Sequence, residues 1–208
     1  MAGIETFSAH VNDYEAWFIK NKNLYEAEVN LLQTLMPRFT HGIEIGVGTG
    51  LFASRLGIHT GIEPSSEMAT KARERGIHVV EGKAESLPWP EEFFDLALMV
   101  TTICFVDDPL QAFKESYRIL TKGGYLVVAF VPLESYLGQK YQTNKTKSLF
   151  YREATFYTSL EIVDFFEKTG FVITASLSTL IGETLSPEIL PGHDKGSFVA
   201  IKGMKPLS

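Results

Sequence analysis

The run Ile43-Glu44-Ile45-Gly46-Val47-Gly48-Thr49-Gly50 constrains this chain more than any other stretch. Apolar residues give way to glycines at three alternate positions and then to a helical pattern, which predicts a buried strand turning tightly into a helix. Without Cβ atoms, such a turn takes conformations closed to other residues and can touch a ligand. The helix beyond it presents unpaired N–H groups and a partial positive charge, so the turn suits carboxylate or phosphate oxygens. Glycines also end elements without binding anything, and the turn alone leaves both readings standing.

The flanking pattern supplies the architecture. Strand 41–46, helix 51–56, strand 58–62, helix 66–75 and strand 77–81 alternate as in βαβ units of a parallel sheet. The unbroken apolar strand 94–100 suits burial on both faces. Asp108 and Pro109 open a helix as N-cap and first helical residue. Gly123 and Gly124 close that connection, and a fifth strand spans 125–131. Ahead of the glycine turn, 13–20 and 23–36 read as helices, the second started by Asn23 with Glu26 three residues later. Segment 134–156 loses its period and gathers Tyr, Gln, Asn and Lys, as a lid or substrate wall would. A capping box at Thr158 and Glu161 begins a helix ending at Gly170, and strands 171–177 and 197–201 are expected to pair antiparallel.

At 208 residues the chain fits one domain. A net charge of −6 with no basic patch argues against nucleic-acid partners. Cys104 is the single cysteine and no Cys/His spacing resembles a metal site, so no metal is expected. No apolar run reaches membrane-spanning length and the first ten residues lack the pattern of a signal peptide, so a cytoplasmic protein is expected.

Together these residues resemble the class I S-adenosylmethionine-dependent methyltransferases, in particular the small-molecule branch that includes ubiquinone and menaquinone biosynthesis enzymes. The likeness runs from Tyr14 to Gly203 and rests on ordered motifs: the glycine turn, Gly61-Ile62-Glu63-Pro64-Ser65, Gly82-Lys83-Ala84-Glu85-Ser86-Leu87-Pro88, Phe94-Asp95-Leu96 and Leu120-Thr121-Lys122-Gly123-Gly124. It implies an α/β, Rossmann-like fold whose mostly parallel seven-stranded sheet has the order 3-2-1-4-5-7-6, the last strand antiparallel. Its implied division is an N-terminal helical cap (1–37), a cofactor-binding core (38–131), a substrate-side insertion (132–157) and a C-terminal helix with a strand pair (158–208).

The resemblance also implies roles. Gly46, Gly48 and Gly50 would meet the methionine part of S-adenosylmethionine, with Glu44 positioning its amino group, and Glu63 would accept from both ribose hydroxyls. Met68 would pack on the adenine, with the backbone at Ala84 and Glu85 at its polar edge; Glu85 reads equally as a cap. Lys83 stands where many relatives carry an aspartate, which leaves adenine recognition to backbone carbonyls, Glu85 or a moved loop. Thr101 and Thr102 would line the cofactor or simply bond the strand end. Tyr14, Trp17, Phe105 and Tyr136 would shape the pocket of a small-molecule acceptor, although Trp17 and Phe18 also fit the buried stripe of an amphipathic helix. Methyl transfer from a sulfonium needs alignment more than acid or base help, so Tyr14 and His10 are only candidate catalytic groups, and His10 reads equally as a surface histidine. The product would be S-adenosylhomocysteine. A nicotinamide-dependent oxidoreductase is opposed by the spacing, since the third glycine arrives one place early at Gly50 and Leu51 holds the position a dinucleotide fingerprint needs. A non-catalytic module that retains the fold is the other alternative.

Overall fold

The computed structural model describes residues 3–208. Helices α1 (Ile4–Ala9), α2 (Val11–Lys20) and α3 (Lys22–Leu35) precede β1 (Gly42–Ile45), α4 (Leu51–Leu56), β2 (Thr60–Glu63), α5 (Ser66–Glu74), β3 (His78–Glu81), β4 (Phe94–Val100) and α6 (Pro109–Ile119). There follow β5 (Leu120–Phe130), α7 (Tyr136–Thr143), α8 (Ser159–Lys168), β6 (Val172–Ile181), β7 (Leu190–Pro191) and β8 (Gly196–Met204). Single 3-10 turns lie at Ile103–Phe105, Lys145–Lys147 and Tyr151–Glu153.

The strands form one sheet in the order β3-β2-β1-β4-β5-β8-β6-β7. This is the expected order with an eighth strand added, since the two residues of β7 pair antiparallel with Leu177 and Ser178 of β6. Pro191, which has no N–H to offer a further strand, stands on that edge. Strands β1 to β5 run parallel, whereas β8 is antiparallel to both β5 and β6.

Period-two alternation decides which helix covers which face. Leu96, Leu98 and Val100 of β4 join Val127 and Ala129 of β5 under α3, α4 and α5. Ala97 and Met99, with Leu126 and Val128, face Phe113 of α6 and Ile162 and Phe166 of α8. Both faces are therefore buried, and β4 reads as a continuous apolar run for that reason.

Four local expectations change. Helix α3 starts after Asn21, whose side chain bonds back to the Trp17 carbonyl; Glu26 pairs with Arg55 at 2.9 Å instead of capping. Strand β5 begins directly after α6: Leu120 pairs with Phe94 and Tyr125 with Leu96, so Thr121 to Gly124 bulge out within the strand. The segment expected to lack period contains α7, capped by the Ser135 hydroxyl accepting from Gly138 N–H at 3.1 Å. Helix α1 was not expected at all; it has six residues and none of them is buried. The two predicted caps form as read, Asp108 accepting from Gln111 N–H and Thr158 with Glu161 making a capping box.

Candidate functional site

A cavity of about 440 Å³ opens where β1, β2 and β4 end, at the carboxyl ends of parallel strands where open α/β sheets bind ligands. Its floor is built by Gly46, Gly48, Glu63, Pro64, Met68, Val100, Thr101 and Thr102. Helices α1 and α2 supply Phe7, Tyr14, Trp17 and Phe18, and Phe105, Tyr141, Phe150 and Tyr151 close the opposite side.

Each glycine of the turn has a separate reason. At Gly46, with φ of +71°, a Cβ would come 2.3 Å from Thr102 Cγ2, so the strand ends pack only over a bare backbone. At Gly48 a Cβ would stand 3.6 Å from Met68 Cε and from Tyr14 Oη, an ordinary separation that points into the cavity. Gly50 is a correction: its bare side faces Ile77 and Ala72, where a Cβ would meet Ile77 Cδ1 at 2.4 Å, so this glycine makes room for α5 and not for a ligand. Thr101, beside Gly46, holds φ of +51°, a strained conformation for a β-branched residue, and it does so in the cavity wall.

Glu63 ties the turn together. Its Oε2 accepts from Gly48 N–H at 2.9 Å and its Oε1 from Ser65 N–H at 3.0 Å. Burial pushes the carboxyl up to about 7, against the pull of these two N–H groups. Glu44 lies behind the turn and not in the cavity wall; burial holds its carboxyl well above the usual carboxylate range, with the Ala53 N–H opposing and Glu63 adding to the rise. Its Oε2 has no hydrogen-bond partner among the described residues. Tyr14 is kept protonated by burial first and then by the acids Glu44, Glu63, Glu28 and Glu15.

The cap is fastened at several points. Arg75 donates to the Thr49 carbonyl at 2.8 Å and to Glu15 of α2 at 2.7 Å, which holds α2 against the glycine turn. Phe7 of α1 stacks on Phe150 at 5.2 Å and meets Phe105 edge-on at 5.0 Å, while Gly3 N–H donates to Glu153 at 2.6 Å. The missed wall residues thus come from α1, too short for a periodic signal, and from the segment after α7, where the aromatic content was the available hint.

Among the residues singled out in the sequence, the structure brings Tyr14, Trp17, Gly46, Gly48, Glu63, Met68, Thr101, Thr102 and Phe105 into one wall. Others lie elsewhere. His10 bonds Asp13 at 2.9 Å on the outer surface of the cap, because the chain turns there from α1 into α2. Ala84 is buried in the core beside Leu87, and Glu85 uses Oε1 to accept from Asp107 and Asp108 N–H, the cap reading of that residue. Tyr136 is 41% exposed with Lys140 over its ring, since it starts α7 on the outward side; Tyr141, five residues on, faces in. Lys83 lies on the surface with Nζ 3.4 Å from Asp107. Cys104 donates to the Thr101 carbonyl at 3.1 Å, and burial pushes its thiol up to about 12, which makes it a structural residue.

A profile described as a methyltransferase domain matches residues 43–128. A solved S-adenosylmethionine-dependent methyltransferase of Thermotoga maritima, described as a possible histamine N-methyltransferase, is 47% identical, with 97% of this chain and 99% of that one covered at a TM-score of 0.93. The chain belongs to the S-adenosylmethionine-dependent methyltransferase family. An uncharacterised protein of Methanocaldococcus jannaschii is 34% identical to the enzyme over 205 residues, 97% of this chain and 100% of the relative. A chloroplastic 2-methyl-6-phytyl-1,4-hydroquinone methyltransferase of Oryza sativa is 34% identical over 102 residues, 43% of this chain and 29% of the relative. Among the described residues of the enzyme, no helix is long and apolar enough to cross a membrane, and no group of three or more His, Cys, Asp or Glu is placed to hold a metal.

Proposed function

We propose that the enzyme methylates a small organic acceptor within this cavity, with S-adenosylmethionine held along the ends of β1, β2 and β4. The observation that carries this reading is Glu63, a buried carboxylate in the cavity wall already fixed by two N–H groups. Each of its oxygens keeps a lone pair for a ribose hydroxyl. The bare face of Gly48 suits the methionine end, and the unpartnered Glu44 Oε2 behind it suits an ammonium, directly or through water. Met68, Thr101 and Thr102 complete the donor side.

The bound donor supplies a methyl group on a sulfonium, already activated for displacement. The protein's part is to align the acceptor and keep water away, which the rings of Tyr14, Trp17, Phe105 and Phe150 are placed to do. Tyr14, held protonated, would donate a hydrogen bond rather than take a proton. In this reading residues 1–37 cap the site, 38–131 bind the donor, 132–157 wall the acceptor side and 158–208 complete the sheet. The cavity volume favours a small acceptor over a macromolecular one. We place the enzyme in the cytoplasm.

Calorimetry with S-adenosylmethionine, S-adenosylhomocysteine and NADH tests the donor site. Both adenosyl ligands are expected to bind, and Glu63→Ala to weaken them by roughly a hundredfold, as two lost charge-assisted hydrogen bonds would. NADH binding in their place would overturn the reading.

A further inference from the structure

Glu28 is the buried acid that methyl-donor binding leaves unexplained. It stands on the inner face of α3 between Ala27 and Val29 and is 8% exposed. Its carboxylate has neither a hydrogen bond nor an ion pair among the described residues, and burial alone pushes it up to about 8. Buried charged groups are ordinarily paired. Three tyrosines of the cavity wall, Tyr14, Tyr141 and Tyr151, feel its charge, which puts the carboxylate within electrostatic reach of the cavity interior.

The other charges of the wall do not answer it. Glu63 is committed to Gly48 and Ser65. Lys140 and Lys147 are exposed, and the Lys140 ammonium lies over the Tyr136 ring, 5.9 Å from its centroid. The interior thus combines aromatic faces with one unpaired anion, a surrounding that recognises a cation.

We propose that Glu28 is the anchor of the acceptor subsite and pairs with a cationic nitrogen of a small amine substrate. This rests on the methyltransferase reading of the cavity and adds the substrate class. A neutral acceptor such as a hydroquinone leaves Glu28 without its partner, whereas an arylalkylamine satisfies both the carboxylate and the rings. The anchoring nitrogen need not be the one that is methylated, and Glu28 is assigned binding and orientation only.

The test uses enzyme loaded with S-adenosylhomocysteine, whose own binding is measured first; failure at that point overturns the donor-site reading and not this one. Histamine, 2-phenylethylamine and the neutral 2-phenylethanol are then titrated. The amines are expected to bind at least roughly tenfold more tightly than the alcohol. Glu28→Gln should erase that preference while S-adenosylhomocysteine affinity, which also reports folding, is retained. A measurement on the unmodified enzyme is independent of any variant: at about pH 6.5, pairing of an ammonium with Glu28 releases most of one proton, read from buffers of different ionisation enthalpy, and the alcohol releases none. The tyrosines facing Glu28 stay protonated throughout and do not contribute. Equal affinity for amine and alcohol, no amine binding, a preference that survives Glu28→Gln, or binding without proton release would each overturn the proposal.

Discussion

Gly46 and Gly50 look alike in the sequence and do different work, which makes them a useful pair. Alanine at either position is strained, because both hold positive φ and both would drive a Cβ into a neighbour at under 2.5 Å. Each substitution is expected to cost about 1–3 kcal/mol in urea unfolding. Their effects on ligand binding should part: Gly46→Ala displaces Thr102 in the cavity wall and weakens S-adenosylhomocysteine at least tenfold, roughly 1.4 kcal/mol, whereas Gly50→Ala displaces Ile77 and leaves affinity within about twofold. Equal losses in binding would mean that the turn acts only as one rigid unit. Residues whose job is dictated by backbone, such as Gly46, or by place at a strand end, such as Glu63 and Thr102, could be found from the sequence because the motif states the geometry. Glu28 could not. In the sequence it is one of several acids on an amphipathic helix, and only the sheet and the tyrosines beyond it decide that this acid is shut away from water.

Strong start signals made helices legible. The Thr158 and Glu161 box begins α8 as read, and Thr158→Ala is expected to cost about 1 kcal/mol, or roughly 2–4 °C in Tm by thermal melt. Helix α7 escaped because its eight residues carry no clean apolar stripe; its signal is the Ser135 cap and the contact of Gly138 with the Pro132 carbonyl, where a Cβ would stand only 1.9 Å away. Helix α1 escaped because six residues give less than two turns, and tertiary packing of Phe7 decides its place. Phe7→Ala therefore separates fastening from folding. With no buried residue on α1, Tm is expected to move by only about 2 °C, while the cap loosens and S-adenosylhomocysteine leaves roughly tenfold faster in stopped-flow displacement. A large fall in Tm with an unchanged off-rate would contradict this role for α1.

Taken as one body, the enzyme carries three buried acids around a single cavity, and their protons tie its stability to pH. Burial raises Glu28 to about 8 and Glu63 to about 7, with Glu44 raised as well. In the unfolded chain these carboxyls ionise near the ordinary 4.5, so above that pH the native state holds more protons than the unfolded one. Stability is therefore fully present below the ordinary range and is lost as pH rises towards 8. The Tm of ligand-free enzyme should fall between about pH 5 and pH 8, and Glu28→Gln should make the fall shallower; a flat profile would show that these acids are solvated. The paired acids Glu15 and Glu115 are lowered and act in the opposite sense, in a separate window at more acidic pH.

The position of β8 has a consequence for how the molecule comes into being. Residues 196–204 are among the last to be synthesised, yet they lie between β5 and β6 and pair with both. A nascent chain that has everything up to α8 and β6 still has two open strand edges facing each other across a gap, and Phe166 and Phe171 lack the backbone of Gly203 that packs against them. The ribosome thus holds an unfinished sheet until the final stretch clears the tunnel, and the two exposed edges are where a stalled or truncated product would join another copy.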